Sequence, residues 1–322
     1  MRAGLQSVRI GYFGKLPSCA DFIKVVDNLA LAGLLDDWLA GVLNVLSSEP
    51  RWKLSYDVMR PLQFAFIGTR SRRAIGGYLA ASRDSSQRRY PFLCMSAIDI
   101  DQPARFGARS PLVLAPLWTG LDTLAGEVLD AADPDQALQA LSSASIEIDE
   151  EDEQHAQALT DFLDRHTISG LEAMLGAPSV RRTILAVGLL LQPVHSGGAE
   201  RLDKSLVLPL PSALRHRYLV AAFWLDLILP FLQRADVELS LFLGELREKP
   251  SLVIGFGGAR PETLAAIIEP LCAVGQQINF EDTDWVDEQL GSEPHVLKLS
   301  AYLEQDQLTL RSVQALFHET FV

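Results

Sequence analysis

Residues 11–22 read Gly-Tyr-Phe-Gly-Lys-Leu-Pro-Ser-Cys-Ala-Asp-Phe and bring a strand end, a turn and a helix start into one short stretch. Its first residues favour an extended strand, and Gly14 permits backbone angles that are closed to other residues. Pro17 fixes its own φ and disfavours helical geometry in the residue before it. The stretch therefore predicts a shaped corner with an exposed Lys15. A plain strand-to-helix connection is the alternative interpretation.

Apolar residues recur at helical spacing over residues 22–46, which predicts a helix with Trp38 on its buried stripe. The side-chain oxygen of Ser18 or Asp21 is expected to cap this helix. Residues 51–58 are expected to form a loop or a short strand.

Three apolar runs then predict strands at residues 62–68, 76–82 and 92–98. Because their connections are short, these strands are expected to be antiparallel neighbours. With further strands and helices in the second half, the fold class is predicted to be α+β, with antiparallel sheets flanked by helices and two α/β-type domains in one chain.

The link between the second and third of these strands is polar and mostly basic, and it ends in Arg88-Arg89-Tyr90-Pro91-Phe92. A solvated hairpin is one interpretation of this link. A patch of arginines for carboxylate or phosphoryl groups is the other, because guanidinium groups match both geometries.

Two stretches carry a resemblance to a known family. Gly11-Tyr12-Phe13-Gly14-Lys15-Leu16-Pro17, followed by Asp21-Phe22, resembles the opening of the TagF (ImpM) family of type VI secretion accessory proteins. The Arg88–Phe92 segment resembles the Gly-Arg-x-Tyr-Pro segment of that family. The resemblance covers residues 8–140 and weakens over residues 150–322. Ala20 and Gln87 stand where the family usually has glycine.

This resemblance implies a cytoplasmic, non-enzymatic protein that represses type VI secretion after translation by binding the forkhead-associated (Fha) scaffold protein. No cofactor or metal is implied. The predicted partner-binding residues are Lys15, Leu16, Pro17, Asp21, Phe22, Trp38, Arg88, Arg89 and Tyr90. Phe22 and Trp38 are expected to support the surface from beneath.

Length and composition are those of a globular protein: 322 residues, of which 48% are hydrophobic. Three separated cysteines without a CxxC pair indicate neither a disulfide framework nor a zinc site. The most apolar windows, residues 183–194 and 218–232, are too short to span a bilayer. We therefore expect a soluble cytoplasmic protein without direct membrane insertion.

The net charge of −13 is unevenly distributed. Residues 1–110 contain 15 Lys and Arg against 9 Asp and Glu, whereas the remainder contains 13 against 32. An acidic second half argues against nucleic acid as a partner, because phosphate backbones require a basic face. The basic first half suits an acidic protein partner, or attraction between the two halves.

A serine patch at residues 142–145, followed by an acidic run, is the predicted boundary between an N-terminal domain, residues 1–145, and a C-terminal domain, residues 146–322. Beyond it, residues 183–191 are expected to form a strand. Glycine loops at residues 195–201 and 255–260 support an alternative function, a small-ligand or nucleotide-binding enzyme domain. The second loop lacks the complete spacing of either nucleotide fingerprint.

Overall fold

The computed structural model describes residues 4–151, 153–177, 179–197, 202–233, 235–290 and 293–322, without the side chains of residues 195–197 and 290. In these ranges, nine strands form one twisted sheet and two form a small separate one. The strands of the small sheet are β1 (Leu5–Arg9) and β7 (Ser145–Asp149), which pair antiparallel.

Strands of the large sheet come from both halves of the chain. The first half supplies β2 (Gly11–Gly14), β3 (Ile23–Val25), β4 (Leu62–Gly68), β5 (Arg73–Ala80) and β6 (Phe92–Asp99). The second half supplies β8 (Ser205–Pro209), β9 (Glu238–Leu246), β10 (Lys249–Gly255) and β11 (Gln277–Asn279). The order is β11-β8-β10-β9-β4-β5-β6-β2-β3, and every pairing is antiparallel except that of β11 with β8.

Helices cover both faces of this sheet. One face carries α1 (Leu29–Leu46), α2 (Trp52–Val58), α10 (Pro261–Ile268) and α11 (Pro270–Ala273). The other carries α3 (Pro103–Val113), α4 (Ala115–Asp130), α5 (Asp135–Ser143), α6 (Glu153–Arg165), α7 (Ile168–Leu175), α8 (Val180–Gly197), α9 (Leu214–Ile228), α12 (Trp285–Leu290), α13 (Pro294–Leu303) and α14 (Leu310–Phe321).

Alternate residues of the central strands supply the two cores, as the two-residue period of a strand requires. In β4, Phe64 and Phe66 face the α1 side, whereas Ala65 and Ile67 face the other. The predicted α+β class with antiparallel sheets flanked by helices is therefore confirmed, and β4 is buried on both faces.

The predicted boundary at residue 145 falls at the start of β7. There β7 follows α5 after one residue and pairs with β1 from the N-terminus. Strands β4 and β9, from the two proposed domains, are also direct neighbours. The division into two domains stays a prediction, but both parts contribute to one sheet.

Three predictions of local structure are wrong. Residues 23–25 join the sheet edge as β3, so α1 begins later and Asn28, rather than Ser18 or Asp21, caps it by accepting the Leu31 N–H at 3.0 Å. Residues 52–58 form a helix, α2, whose Tyr56 is buried. The predicted strand at residues 183–191 lies inside α8, because an apolar run cannot distinguish a buried helix from a buried strand.

The apolar windows chosen from the sequence also missed α1. Among the described helices, α1 is long and apolar enough to cross a membrane, with a mean hydropathy of 1.6. Two bent pairs, α3 with α4 and α7 with α8, meet the same test when each pair is taken as one segment. One third of α1 is buried, and its Trp38 packs on Phe64, Phe66 and Phe242 of the sheet.

Candidate functional site

The two sequence motifs meet in space. Strand β2 pairs with β6, which places Phe13 opposite Leu93. Just beyond this pair, Gly14 has φ of +134°, and a Cβ there would lie 2.1 Å from the Pro91 carbonyl oxygen. Only glycine permits both this conformation and this approach. Gly14 therefore lets the chain turn directly against the second motif.

A buried carboxylate joins the two motifs. Asp84 is completely inaccessible to solvent. It accepts hydrogen bonds from Lys15 Nζ at 2.9 Å, from Arg88 Nε at 2.7 Å and from the Arg88 backbone N–H at 2.9 Å. Burial alone would raise the pKa of Asp84, but these hydrogen bonds outweigh it and lower the pKa to about 2.

Hydrogen bonds to backbone carbonyls hold the corner of residues 15–20 against the basic hairpin. Ser82 Oγ donates to the Lys15 carbonyl at 2.7 Å, and the Ser85 N–H donates to the Cys19 carbonyl at 2.9 Å. Arg88 Nη2 donates to the Ala20 carbonyl at 3.1 Å. The corner therefore has one defined position relative to the hairpin.

The hairpin is also tied to two helices, α1 and α2. Arg89 forms a bidentate pair with Asp57 of α2, at 2.7 and 2.5 Å. The Tyr90 hydroxyl donates to Asp36 of α1, and its ring contacts Phe22 edge-on at a centroid distance of 5.3 Å. These contacts link α1 and α2 to the hairpin.

The structure brings most of the predicted residues together but corrects their exposure. Pro17, Asp21, Phe22 and Arg88 are exposed, and Arg89 and Tyr90 are half-buried. Lys15 is not the exposed lysine that was predicted, because its side chain is only 16% accessible and points at Asp84.

Two further predicted residues cannot touch a partner directly. Leu16 is wholly buried, and Trp38 is buried against the central strands rather than under the hairpin. Phe22, expected beneath the surface, is 42% exposed.

Sequence reasoning missed the acceptors that organise the site. Asp84 and Asp57 neutralise basic residues, and Asp36 accepts from the Tyr90 hydroxyl. The Tyr56 hydroxyl donates to the Ser82 carbonyl and accepts from the Ser82 N–H. The sequence feature that could have revealed this arrangement is Asp84, the single acidic residue among the arginines of residues 83–89.

Residues 11–144 match the family model described as "TagF N-terminal domain, Type VI secretion system-associated". Over this stretch the chain is similar to the TagF N-terminal domain. The whole Asp84 cluster lies inside this stretch, and so do Asp36 and Asp57.

Among solved structures, the chain is similar to the Pseudomonas aeruginosa PAO1 protein PA0076, with 20% identity and a TM-score of 0.35. The match covers 42% of this chain and 61% of the solved chain, so less than two thirds of that protein is spanned. No curated protein matches the chain.

The glycine position in the second motif of the TagF N-terminal domain has a structural explanation. Gln87 stands there in this chain and adopts φ of +65°, a left-handed conformation that suits glycine. Ala20 also stands where the family usually has glycine, but its backbone is not strained, because its φ is not positive.

Outside the TagF N-terminal domain, the glycine loop at residues 255–260 is a tight turn. Gly258 has φ of +61°, its N–H donates to the Glu238 carbonyl at 2.7 Å, and a Cβ there would lie 2.9 Å from the Glu238 carboxylate. A carboxylate so close to the loop disfavours a phosphate.

In the other predicted glycine loop, residues 195–197 are the end of α8 rather than loop, and residues 198–201 lie outside the described residues. Over the described part of the chain, no group of three His, Cys, Asp or Glu side chains is placed to hold a metal ion.

Proposed function

We propose that the chain is a non-enzymatic regulator of type VI secretion that acts in the cytoplasm. It represses the apparatus by binding the forkhead-associated scaffold protein, as the family resemblance implies. A repressor of this kind needs no catalytic group, because it acts by occupying a surface and its effect follows its concentration relative to the Kd.

The observation that carries this proposal is the rigid join between the corner and the hairpin. Lys15, Arg88 and Arg89 are each engaged by an aspartate, so their charges stabilise the site rather than activate a substrate. The residues that still face solvent form a preorganised surface, and preorganisation lowers the entropic cost of docking. We define the docking surface by its exposed residues: Pro17, Ser18, Asp21, Phe22, Arg83, Ser85, Ser86 and Arg88.

The test must leave Asp84 paired, so Lys15 and Arg88 are unsuitable targets. We propose the double variant Arg83→Glu with Ser86→Glu, because both side chains are exposed on the hairpin. Affinity for the purified scaffold protein, measured by isothermal titration calorimetry, is expected to fall at least about tenfold, a typical effect of charge repulsion at an interface.

Arg72→Glu is the matched control. It repeats the charge reversal of Arg83→Glu at the other end of β5, where Arg72 is exposed. This variant is expected to keep wild-type affinity for the scaffold protein. Unchanged scaffold binding by the folded double variant would remove this surface from the proposal. A wild-type chain that does not bind the scaffold at all would remove the partner.

A small-ligand or nucleotide-binding enzyme that uses the glycine loop at residues 255–260 is the alternative function, and the Glu238 carboxylate beside Gly258 disfavours it. A thermal-shift panel of nucleotides and metal ions separates the two. A ligand at 100 times its Kd stabilises a protein by about 2.7 kcal/mol. A shift of that size that is abolished by Gly258→Gln would favour the enzyme.

A further inference from the structure

Strand β7 forms an open edge of the small sheet, because β1 is its one strand partner among the described residues. Directly after β7, the Glu150 N–H donates to the Gly4 carbonyl at 3.1 Å. Opposed residues of an antiparallel pair exchange hydrogen bonds at every second position. In the same register, Ile148 and Ile146 therefore bond to β1.

The backbone groups of the intervening residues, Ser145, Glu147 and Asp149, point away from β1. No described residue outside the strand pairing forms a backbone hydrogen bond with them. A row of unpaired N–H and carbonyl groups at a sheet edge is a template for a further strand.

An apolar groove of about 750 Å³ lies between the start of β7 and α4. Its walls are open to solvent, because Pro116 and Thr123 of α4 are exposed and Leu124 and Ile146 are half-buried. Gly120 lets β7 approach α4 closely, since a Cβ there would lie 2.7 Å from Ile146 Cδ1. A strand edge beside such a groove suits an extended peptide, which gains affinity from backbone hydrogen bonds and specificity from alternate side chains.

The outer face of β7 is acidic. Glu147 and Asp149 lie on the opposite face from the isoleucines, because side chains alternate along a strand. Glu147 is exposed, and no described residue pairs with its carboxylate. The basic residue of this face, Arg9 of β1, lies 3.9 Å from Asp27. A second copy of β7 would place acids beside acids, which is destabilising across strands, whereas a basic strand would be attracted.

We propose that the open edge of β7 binds an extended segment of a partner protein in which basic residues alternate with apolar ones. The segment would add a third strand to the small sheet by bonding to the outward backbone groups of Ser145, Glu147 and Asp149. Its apolar side chains would enter the groove on α4, and its basic side chains would lie beside the two acids. The inference goes beyond the proposed function and does not depend on binding of the scaffold protein.

The experiment uses the full-length chain and three peptides. The probe is acetyl-Lys-Val-Lys-Val-Lys-Val-Lys-amide. One control replaces every lysine by glutamate, and the other keeps the sequence but carries a methyl group on every backbone nitrogen. Calorimetric titration is expected to show binding of the probe at least about tenfold tighter than that of either control. Absence of probe binding, or equal binding of either control, would overturn the proposal.

Because the chain has a net charge of −13, variants must locate the peptide at β7. Glu147→Pro removes an outward N–H and leaves the bonds to β1 in place, whereas Glu147→Ala removes only the charge. The proline variant is expected to bind the probe at least about fivefold more weakly than the alanine variant. Equal affinities would show that the peptide does not pair with β7.

Glu147→Lys tests the charge match. It is expected to reduce the preference for the lysine peptide over the glutamate peptide by at least about threefold. Glu288→Lys is the matched control, because it makes the same charge reversal at an exposed residue of α12, and it should keep the wild-type preference. The same preference in both variants would contradict a basic segment at this edge.

Measurements on the wild-type chain cover the case of poorly folded variants. In NMR spectra, the backbone amide signals of Ser145, Glu147 and Asp149 should move during titration with the probe and become protected from hydrogen exchange. Signals that stay in place at saturating probe would contradict the site. Self-association in sedimentation experiments that Glu147→Pro abolishes would assign the edge to a second copy and would also overturn the proposal.

Discussion

At the scale of single residues, Gly14 carries the closest backbone approach between the two motifs. Gly14→Ala places a Cβ 2.1 Å from the Pro91 oxygen at φ of +134°. We expect a loss of about 3 kcal/mol or more in the free energy of unfolding, from backbone strain and overpacking together. Urea unfolding measures this.

Gly33→Ala is the control for Gly14, because no atom lies within 4 Å of a Cβ at Gly33 in α1. It should stabilise the chain by roughly 0.5–1 kcal/mol, the usual gain in a helix. A Gly14 variant as stable as wild type would contradict the close approach.

Gln87 has a left-handed backbone conformation that favours glycine over glutamine. Since its φ is +65°, Gln87→Gly is expected to raise the free energy of unfolding by about 1 kcal/mol. Ser86→Gly, at the adjacent position without a positive φ, should gain nothing. Denaturant midpoints of the two variants test the difference, and equal effects would show that the left-handed angle carries no cost.

Lys15 determines how the site responds to acid. The pKa of Asp84 is lowered to about 2 in the folded state, below the ordinary value of about 3.9. Its carboxylate therefore stabilises the fold above about pH 4, and this contribution is lost as the pH falls through about 2.

Lys15→Met removes one of the hydrogen bonds to Asp84, so its pKa should rise and acid unfolding should begin at a higher pH. Acid unfolding followed by circular dichroism measures the shift. Lys53→Met, an exposed residue of α2, should unfold as wild type does. Identical acid midpoints for the Lys15 variant and wild type would mean that Lys15 does not hold Asp84 in its charged form.

At the scale of elements, the contact between α9 and α14 contains a carboxyl group, Asp226, in the apolar C-terminal half of α9. Asp226 accepts from Gln314, and His318 Nε2 lies 3.1 Å from the Asp226 carbonyl. Burial raises the pKa of Asp226, although Gln314, His318 and Arg311 act in the opposite direction. The folded state therefore binds this proton more tightly than the unfolded state does.

It follows that stability declines as the pH rises from about 4 through the folded-state pKa of Asp226. Asp226→Asn keeps an acceptor for Gln314 and abolishes this decline, so its advantage over wild type should grow with pH. Thermal unfolding between pH 4 and 7 tests this, with the exposed Asp130→Asn of α4 as control. A constant difference across that range would contradict the raised pKa.

At the scale of the whole molecule, the sheet crosses the predicted domain boundary through the pairing of β4 with β9. A chain of residues 1–145 would leave β4 as an open edge whose Phe64 and Phe66 lack Phe242. Exposed apolar edges favour aggregation.

We therefore expect residues 1–145 to aggregate when expressed alone, whereas the full chain stays dispersed. Size-exclusion chromatography and circular dichroism compare the two. A monodisperse, cooperatively unfolding fragment would show instead that the N-terminal domain folds independently.

The sequence by itself determined the elements whose patterns are local and strong. Strands β4 and β6 follow from their apolar runs, and α1 follows from the helical spacing of its apolar residues. It also determined that Gly14 and Pro17 shape a corner, because their backbone restrictions are intrinsic. The two motifs also indicated the similarity to the TagF N-terminal domain that residues 11–144 show, whereas the partner-binding residues stay a prediction.

Only the tertiary structure decided what those residues do. The sequence predicts an exposed Lys15, but its side chain turns inward because Asp84, distant in the chain, is buried beside it. Likewise β3 is a strand only because β2 offers it an edge, and the apolar face of α8 packs against α7, α9, α12, α13 and α14. Burial and long-range pairing depend on the folded neighbours, so no local pattern encodes them.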